Sequence, residues 1–220
     1  MSVKAKVQYR LHYPEDEKRQ PWLRLLLDAY AVIDEGVAAG ISEEEKKRSI
    51  RLACAKGCGK CCTTHRDIPV YPLELVGIYW FAIEKLTQPL RGIVKKQLVN
   101  HRKGDACPFL VEASCSIHAM RPAACRQFNV FNKRCETGED PYYTRRADVL
   151  TPRSGYIDNA FSIMLPFYGI TNKREIETAS RTRIINSLAR PLQLCQWHEL
   201  PVRMNELDVT TGNQTRNEVK

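Results

Sequence analysis

With 220 residues, 43% of them hydrophobic and 27% charged, the chain has the make-up of a globular protein that can bury a sizeable core. Its longest uncharged apolar run, VGIYWFAI from Val76 to Ile83, falls short of the roughly 20 residues a membrane span requires, and MSVKAKVQYR at the start lacks the apolar stretch of an export leader. No membrane partner is therefore expected, and a reducing cytoplasm is. The net charge of +9 admits an anionic partner, either nucleic acid or an acidic protein, but no run of five like charges concentrates it.

Residues 1–20 are polar and are expected to be extended. Pro21 then opens PWLRLLLDAYAVIDEGVAAG, where Leu23, Leu26, Leu27, Tyr30 and Ile33 recur at helical spacing. Proline in the first turn and Gly40 past the end predict a helix over 21–38. Ser42 with Glu45 three residues on is a capping-box pattern and predicts a second helix over 43–53. YPLELVGIYWFAIEKL reads as a third helix from Pro72, and PLRGIVKKQLVNHR as a fourth over 89–102. The stretch Cys107 to His118 has a turn-like centre at Glu112 to Ser114 and reads as a small hairpin or loop. Residues 126–170 are proline-punctuated and show no clear period. Asn172 to Leu192 reads as a further helix, and the polar tail 205–220 is expected to be disordered. The fold class expected is mainly α. One compact helical domain over 21–204 should wrap around a cysteine-rich metal-binding loop, with a small irregular or hairpin segment and a motif core at 50–130.

That loop is CAKGCGKCC, Cys54 to Cys62, which holds four of the nine cysteines. In a reducing compartment clustered cysteines act as metal ligands or catalytic thiols more often than as disulfides. Thiolates are soft donors that select zinc, copper(I) or iron–sulfur clusters. Positions 54, 58, 61 and 62 would also share one face of a helix, and free cysteine is often simply buried. Two glycines inside the stretch would cost a helix about 0.8–1 kcal/mol each relative to alanine, which favours a tight loop. Gly57 and Gly59 there would permit positive φ angles.

A second group follows in CPFL…CSIHAMRPAACRQF, with Cys107, Cys115 and Cys125. The succession C-x3-C-x2-C-C, C-P-F-L and C-x-I-x-x-x-R-P-x-x-C-R resembles the bacterial cysteine-cluster family described as a zinc- or iron-chelating domain. The resemblance covers roughly residues 50–130, and all seven motif cysteines have counterparts. It implies a metal site of the zinc or iron class. Flagellin lysine methylases carry a similar cysteine segment, and for that branch an iron–sulfur cluster is implied. His118 stands where the family has tyrosine, so no role is carried over to it. The spacing C-x3-C-x2-C is also that of radical enzymes that bind S-adenosylmethionine. That reading is set aside, because Lys60 occupies a position that is aromatic there and no barrel alternation follows.

The metal ligands expected are Cys54, Cys58, Cys61, Cys62, Cys107, Cys115 and Cys125, of which Cys54, Cys58, Cys61 and Cys125 rank first. Seven exceed the four that a tetrahedral zinc or one 4Fe–4S cluster takes, so either two sites or one site with supporting thiols is open. Adjacent residues diverge, so Cys61 and Cys62 should not share one metal atom. Cys135 lies outside the motif, and Cys195, in PLQLCQW, reads as a buried structural thiol. His65 is a lesser candidate. Glu74 reads as a solvated helix residue. Arg121 and Arg126 could either offset thiolate charge or anchor the Arg-Pro turn.

Several soft sulfurs and few histidines favour a 4Fe–4S iron–sulfur cluster over zinc as cofactor. With it goes a redox or accessory role. The alternatives are a zinc-stabilised interaction module, or an enzyme of unknown substrate that uses the cluster. Catalytic residues cannot be named. No Gly-rich phosphate loop, nucleophile elbow or H-E-x-x-H is present.

Overall fold

A computed structural model describes residues 9–217. It is mainly α, with helices α1 (Pro14–Arg19), α2 (Pro21–Arg48), α3 (Lys60–Thr64), α4 (Pro72–Glu84), α5 (Leu90–Asn100), α6 (Ala123–Gln127), α7 (Pro141–Thr144), α8 (Ser154–Met164), α9 (Lys173–Thr182) and α10 (Glu199–Asn217). Two antiparallel pairs complete it: β1 (Pro69–Val70) with β4 (Arg190–Pro191), and β2 (Leu110–Val111) with β3 (Ser114–Cys115). Among the described residues no helix is long and apolar enough to cross a membrane.

The long α2 organises one half of the molecule. The periodic residues Leu23, Leu26, Leu27, Tyr30 and Ile33 are all buried, and they pack with Leu73 and Trp80 of α4 and with Ala160, Phe161 and Met164 of α8. The two helices expected over 21–38 and 43–53 are one helix here. Gly40 does not end it, because Gly36 and Gly40 lie one turn apart on the side facing α8 and the chain before it. A Cβ at Gly36 would come within 2.6 Å of the Tyr156 side chain, and one at Gly40 within 3.2 Å of Leu150. The glycines therefore serve close packing rather than termination. The helix stops instead at Ser49, which adopts a left-handed conformation at φ 53°. Glu45 does not box a helix start; its carboxylate accepts the Leu52 N–H at 3.1 Å and fixes the exit of the chain.

A second cluster lies on the other side of α4. It joins Ile78 and Ala82 to Val94, Leu98, Phe109, Ile117, Trp197, Leu200 and Met204, and buried Cys107 is part of it. Cys62, Cys115 and Cys125 pack against this cluster, whereas no cysteine belongs to the first.

Three other expectations need correction. Residues 14–19 are helical rather than extended: Pro14 starts the turn, acidic residues 15–17 fill its first turn, and Lys18 and Arg19 its last, which suits the helix dipole. Residues 1–8 lie outside the described residues. The tail is helical to Asn217 instead of disordered. The buried Arg91 donates to the Met204 carbonyl at 2.8 Å and to Asp208 at 2.9 Å, and Lys95 pairs with Asp208 at 2.6 Å, so α5 anchors α10. Residues 218–220 lie outside the described residues. The helix expected over Asn172 to Leu192 ends at Thr182, where Arg183 turns left-handed at φ 49°. A short 3-10 segment then leads to β4. The stretch 126–170, without a period in sequence, contributes α8.

Candidate metal centre

The cysteines are brought together by short backbone ties between distant segments. Leu52 and Phe131 form an isolated antiparallel bridge, in which Ala53 N–H donates to the Val130 carbonyl and Asn132 N–H to the Arg51 carbonyl, each at 2.8 Å. The Val130 N–H also donates to the Cys54 sulfur at 3.3 Å. At the other end of the loop, Cys107 N–H donates to the Cys62 carbonyl at 2.8 Å. The loop from Cys54 thus starts against the strand-like segment 129–132 and finishes against the segment that begins at Cys107.

The two glycines of the loop serve different ends. Gly57 has φ +80°, as expected. Gly59 has φ −111° and needs no left-handed freedom. Its requirement is steric, because a Cβ there would lie 2.4 Å from the Ala113 carbonyl oxygen and 2.5 Å from Leu110. The β2–β3 hairpin turns at Glu112 and Ala113, both with positive φ, and presses this turn onto Gly59. That contact seats Cys115 opposite α3, which carries Cys61 and Cys62.

These elements enclose a cavity of about 480 Å³. Cys54, Cys58, Cys61, Cys62, Cys107, Cys115 and Cys125 all line it. Cys135, which the motif omitted, lines it as well, whereas Cys195 does not. The Cys195 thiol lies against the Pro191 carbonyl at 3.7 Å. Among the described residues no three His, Cys, Asp or Glu side chains already clasp a single point; the sulfurs surround a space. The donor set is nonetheless that of a soft metal. Eight thiols share one cavity, and only two histidines join them. His118 Nε2 meets the Arg121 guanidinium at 2.9 Å, and the ring of His65 rests edge-on against Phe128, its Nε2 3.7 Å from Asp140.

Electrostatics agree with a site made for cations. Contact with Cys107, then burial, pushes the Cys62 thiol up to about 12, and contact with Cys62, then burial, pushes Cys61 higher still. Burial raises Cys54, Cys115 and Cys125, and neighbouring sulfurs add to the rise. Crowded thiols of this kind stay protonated until a metal supplies positive charge.

The two arginines divide their roles. Arg126 is buried and structural: it donates to the carbonyls of Arg121 and Ala119, pairs with Asp34 at 2.6 Å, and lies 3.8 Å over the Tyr30 ring. Arg121 faces the cavity, and its Nε is buried without a partner. Glu74 is fully buried, not solvated. One of its oxygens accepts the Tyr71 N–H at 3.0 Å and the other the Ala123 N–H at 2.7 Å, so it ties the start of α4 to the start of α6, which carries Cys125. Sequence gave no hint of this role beyond a glutamate at the third position of a helix.

Residues 53–147 match the CxxCxxCC family, described as a "putative zinc- or iron-chelating domain". The matched stretch starts next to Cys54 and contains every cysteine that lines the cavity, including Cys135. Over this stretch the chain is similar to a domain so described, which supports binding of a metal of the zinc or iron class through its cysteines. No curated protein and no solved structure matches the chain.

Proposed function

We propose that this protein holds an iron–sulfur cluster of the 4Fe–4S type within the cage of Cys54, Cys58, Cys61, Cys62, Cys107, Cys115 and Cys125, with four thiolates ligating each cluster, and that it serves a redox or accessory role. The observation that carries this reading is the gathering of these thiols around one cavity. One zinc and one 4Fe–4S cluster each take four thiolates, and it is the wealth of soft sulfur with few histidines in the cavity that leans toward iron–sulfur chemistry. The Arg121 guanidinium, with an unpartnered Nε facing the cavity, is suited to offset the negative charge of a thiolate-bound cluster or donate to its sulfides. When bound, the cluster would supply one-electron chemistry. The chain would supply the sulfurs, the hydrophobic cluster behind Cys62 and Cys107, and the positive charge beside them. Structural zinc in the same cage is the second reading, and the family description favours neither metal.

The test is purification of the full chain without oxygen, followed by assay of iron, zinc and acid-labile sulfide together with the visible spectrum. Iron with equal sulfide, and a broad absorption that bleaches on reduction, is the outcome expected. Zinc without colour or sulfide would replace the cluster with a structural clamp. Neither metal would end the metal reading for this chain.

A further inference from the structure

The cage holds more sulfur than one centre uses, and the surplus is not random. The cage thiols sort into two groups by what they pack against. Cys107 belongs to the apolar cluster beside α4, and Cys62, Cys115 and Cys125 pack against it; Cys62 also contacts Cys107, and Cys125 faces Cys61, Cys115 and Cys62. The sulfur neighbours of Cys135 are instead Cys54 and Cys58. Cys61 sits at the border: it touches Cys62, faces Cys115 and Cys125, and also faces Cys54.

Two further features follow the same division. A second cavity of about 350 Å³ opens on the outer side of the loop, and the only cysteines lining it are Cys54, Cys58 and Cys135. The backbone explains why Cys135 arrives there. The Leu52–Phe131 bridge holds the chain after Cys125 alongside the chain before Cys54. Lys60 Nζ then donates to Thr137 at 2.8 Å, which draws the next turn across the loop. Arg145 closes the far side, its guanidinium reaching the Cys135 sulfur at 3.9 Å while it pairs with Glu139 at 2.8 Å. Cys61 and Cys62, as successive residues of α3, point about 100° apart, as the helix period requires. One can serve each group.

We infer that Cys135 is a metal ligand and that the eight thiols form two four-thiolate centres: Cys54, Cys58, Cys61 and Cys135 in one, and Cys62, Cys107, Cys115 and Cys125 in the other. This deepens the metal reading above, on which it rests. The ligand class is a soft cation, either as one zinc per centre or as one four-iron cluster per centre. Each thiol that binds gives its proton to solvent. Arg145 stands beside Cys135, and Arg121 lies near Cys115 and Cys125 as well as Cys54 and Cys61, so both thiolate sets have a guanidinium at hand.

The experiment compares the full chain with Cys135→Ser, Cys107→Ser and Cys195→Ser, all purified without oxygen, for iron, zinc and sulfide per chain. Thiols of the unsubstituted chain are also mapped by iodoacetamide labelling and mass spectrometry, with and without a chelator. The unsubstituted chain should carry about eight irons and eight sulfides, or about two zincs, or one four-iron cluster and one zinc. Cys135→Ser and Cys107→Ser should each lose about half of that, and Cys195→Ser none. Labelling should reach Cys195 readily and the other eight only after chelation. The labelling result needs no variant to fold. A chain with a single zinc or a single four-iron cluster, or one whose Cys135 labels as fast as Cys195, overturns the two-centre inference and leaves the metal reading standing. A chain with no metal overturns both.

Discussion

The carboxylate of Glu74 joins two helix starts: it accepts the N–H of Tyr71, at the head of its own helix, and the N–H of Ala123, 49 residues further along. The second bond fixes the five-residue helix that presents Cys125. Replacing Glu74 with Gln leaves one of the two buried N–H groups facing an amide NH2. The expected cost is about 1–3 kcal/mol by urea denaturation, the penalty of a buried unsatisfied donor. Burial also pushes the Glu74 carboxyl up to about 7, against the pull of its two amide donors. A carboxyl raised in the fold favours the folded state while it is protonated. That contribution is complete below the ordinary value of 4.5 and is lost as pH climbs through about 7. The metal-free chain should therefore lose stability over this window, and Glu74→Gln should flatten that slope.

Gly59→Ala should lower both metal content and melting temperature. Its Cβ would strike the backbone carbonyl of Ala113, so the hairpin carrying Cys115 has to move. Gly155→Ala is the control. It lies in α8 with open space around the added carbon, and should be neutral or stabilising by up to about 1 kcal/mol. Equal metal content and melting temperature in Gly59→Ala and the parent chain would show that the hairpin does not depend on this contact.

Arg126→Met should destabilise the fold by about 3 kcal/mol in urea. It removes the partner of Asp34, whose carboxyl burial already pushes upward, and strips two carbonyls of their donor. This sits at the low end of the cost of breaking a buried ion pair, because Asp34 stays 26% exposed. Asp34→Asn should cost less, since it leaves a neutral group in place.

Zinc affinity of the metal-free chain should rise steeply with pH. The cage thiols are held protonated by one another and by burial, so each thiolate formed on binding displaces a proton. Competition titrations against a chromophoric chelator over pH 6 to 8 would read the slope directly. An affinity that does not change with pH would mean that the cage thiols are already ionised.

The parts of this molecule that were legible in sequence are those set by local rules. The apolar period of Leu23 to Ile33 predicted the face α2 buries, and the turn at Glu112 to Ser114 predicted the small hairpin. The seven motif cysteines, spread across two sequence segments, do line one cavity. What was missed depends on contacts at long range. Gly40 resembled a helix end because nothing local shows that Leu150 will pack there. Glu74 resembled a solvated residue because its second partner, Ala123, lies in another helix. Cys135 fell outside the motif because the Leu52–Phe131 bridge that carries it to Cys54 has no sequence signature. The helical tail was hidden in the same way, since its anchor, Arg91, belongs to α5.

The division of the apolar interior into two clusters, only one of which touches cysteine, means that metal loss should not reach both halves equally. The half built on α2 and α8 has no cysteine in its buried cluster and keeps its packing whatever the cage holds. The other half leans on Cys62, Cys107, Cys115 and Cys125, so emptying the cage removes cross-links from one flank alone. Unfolding of the metal-free chain should then proceed in two stages, with the segment from Cys107 to Cys135 open to proteases while α2 stays protected. Such a protein can surrender its metal and take it up again without passing through the unfolded state.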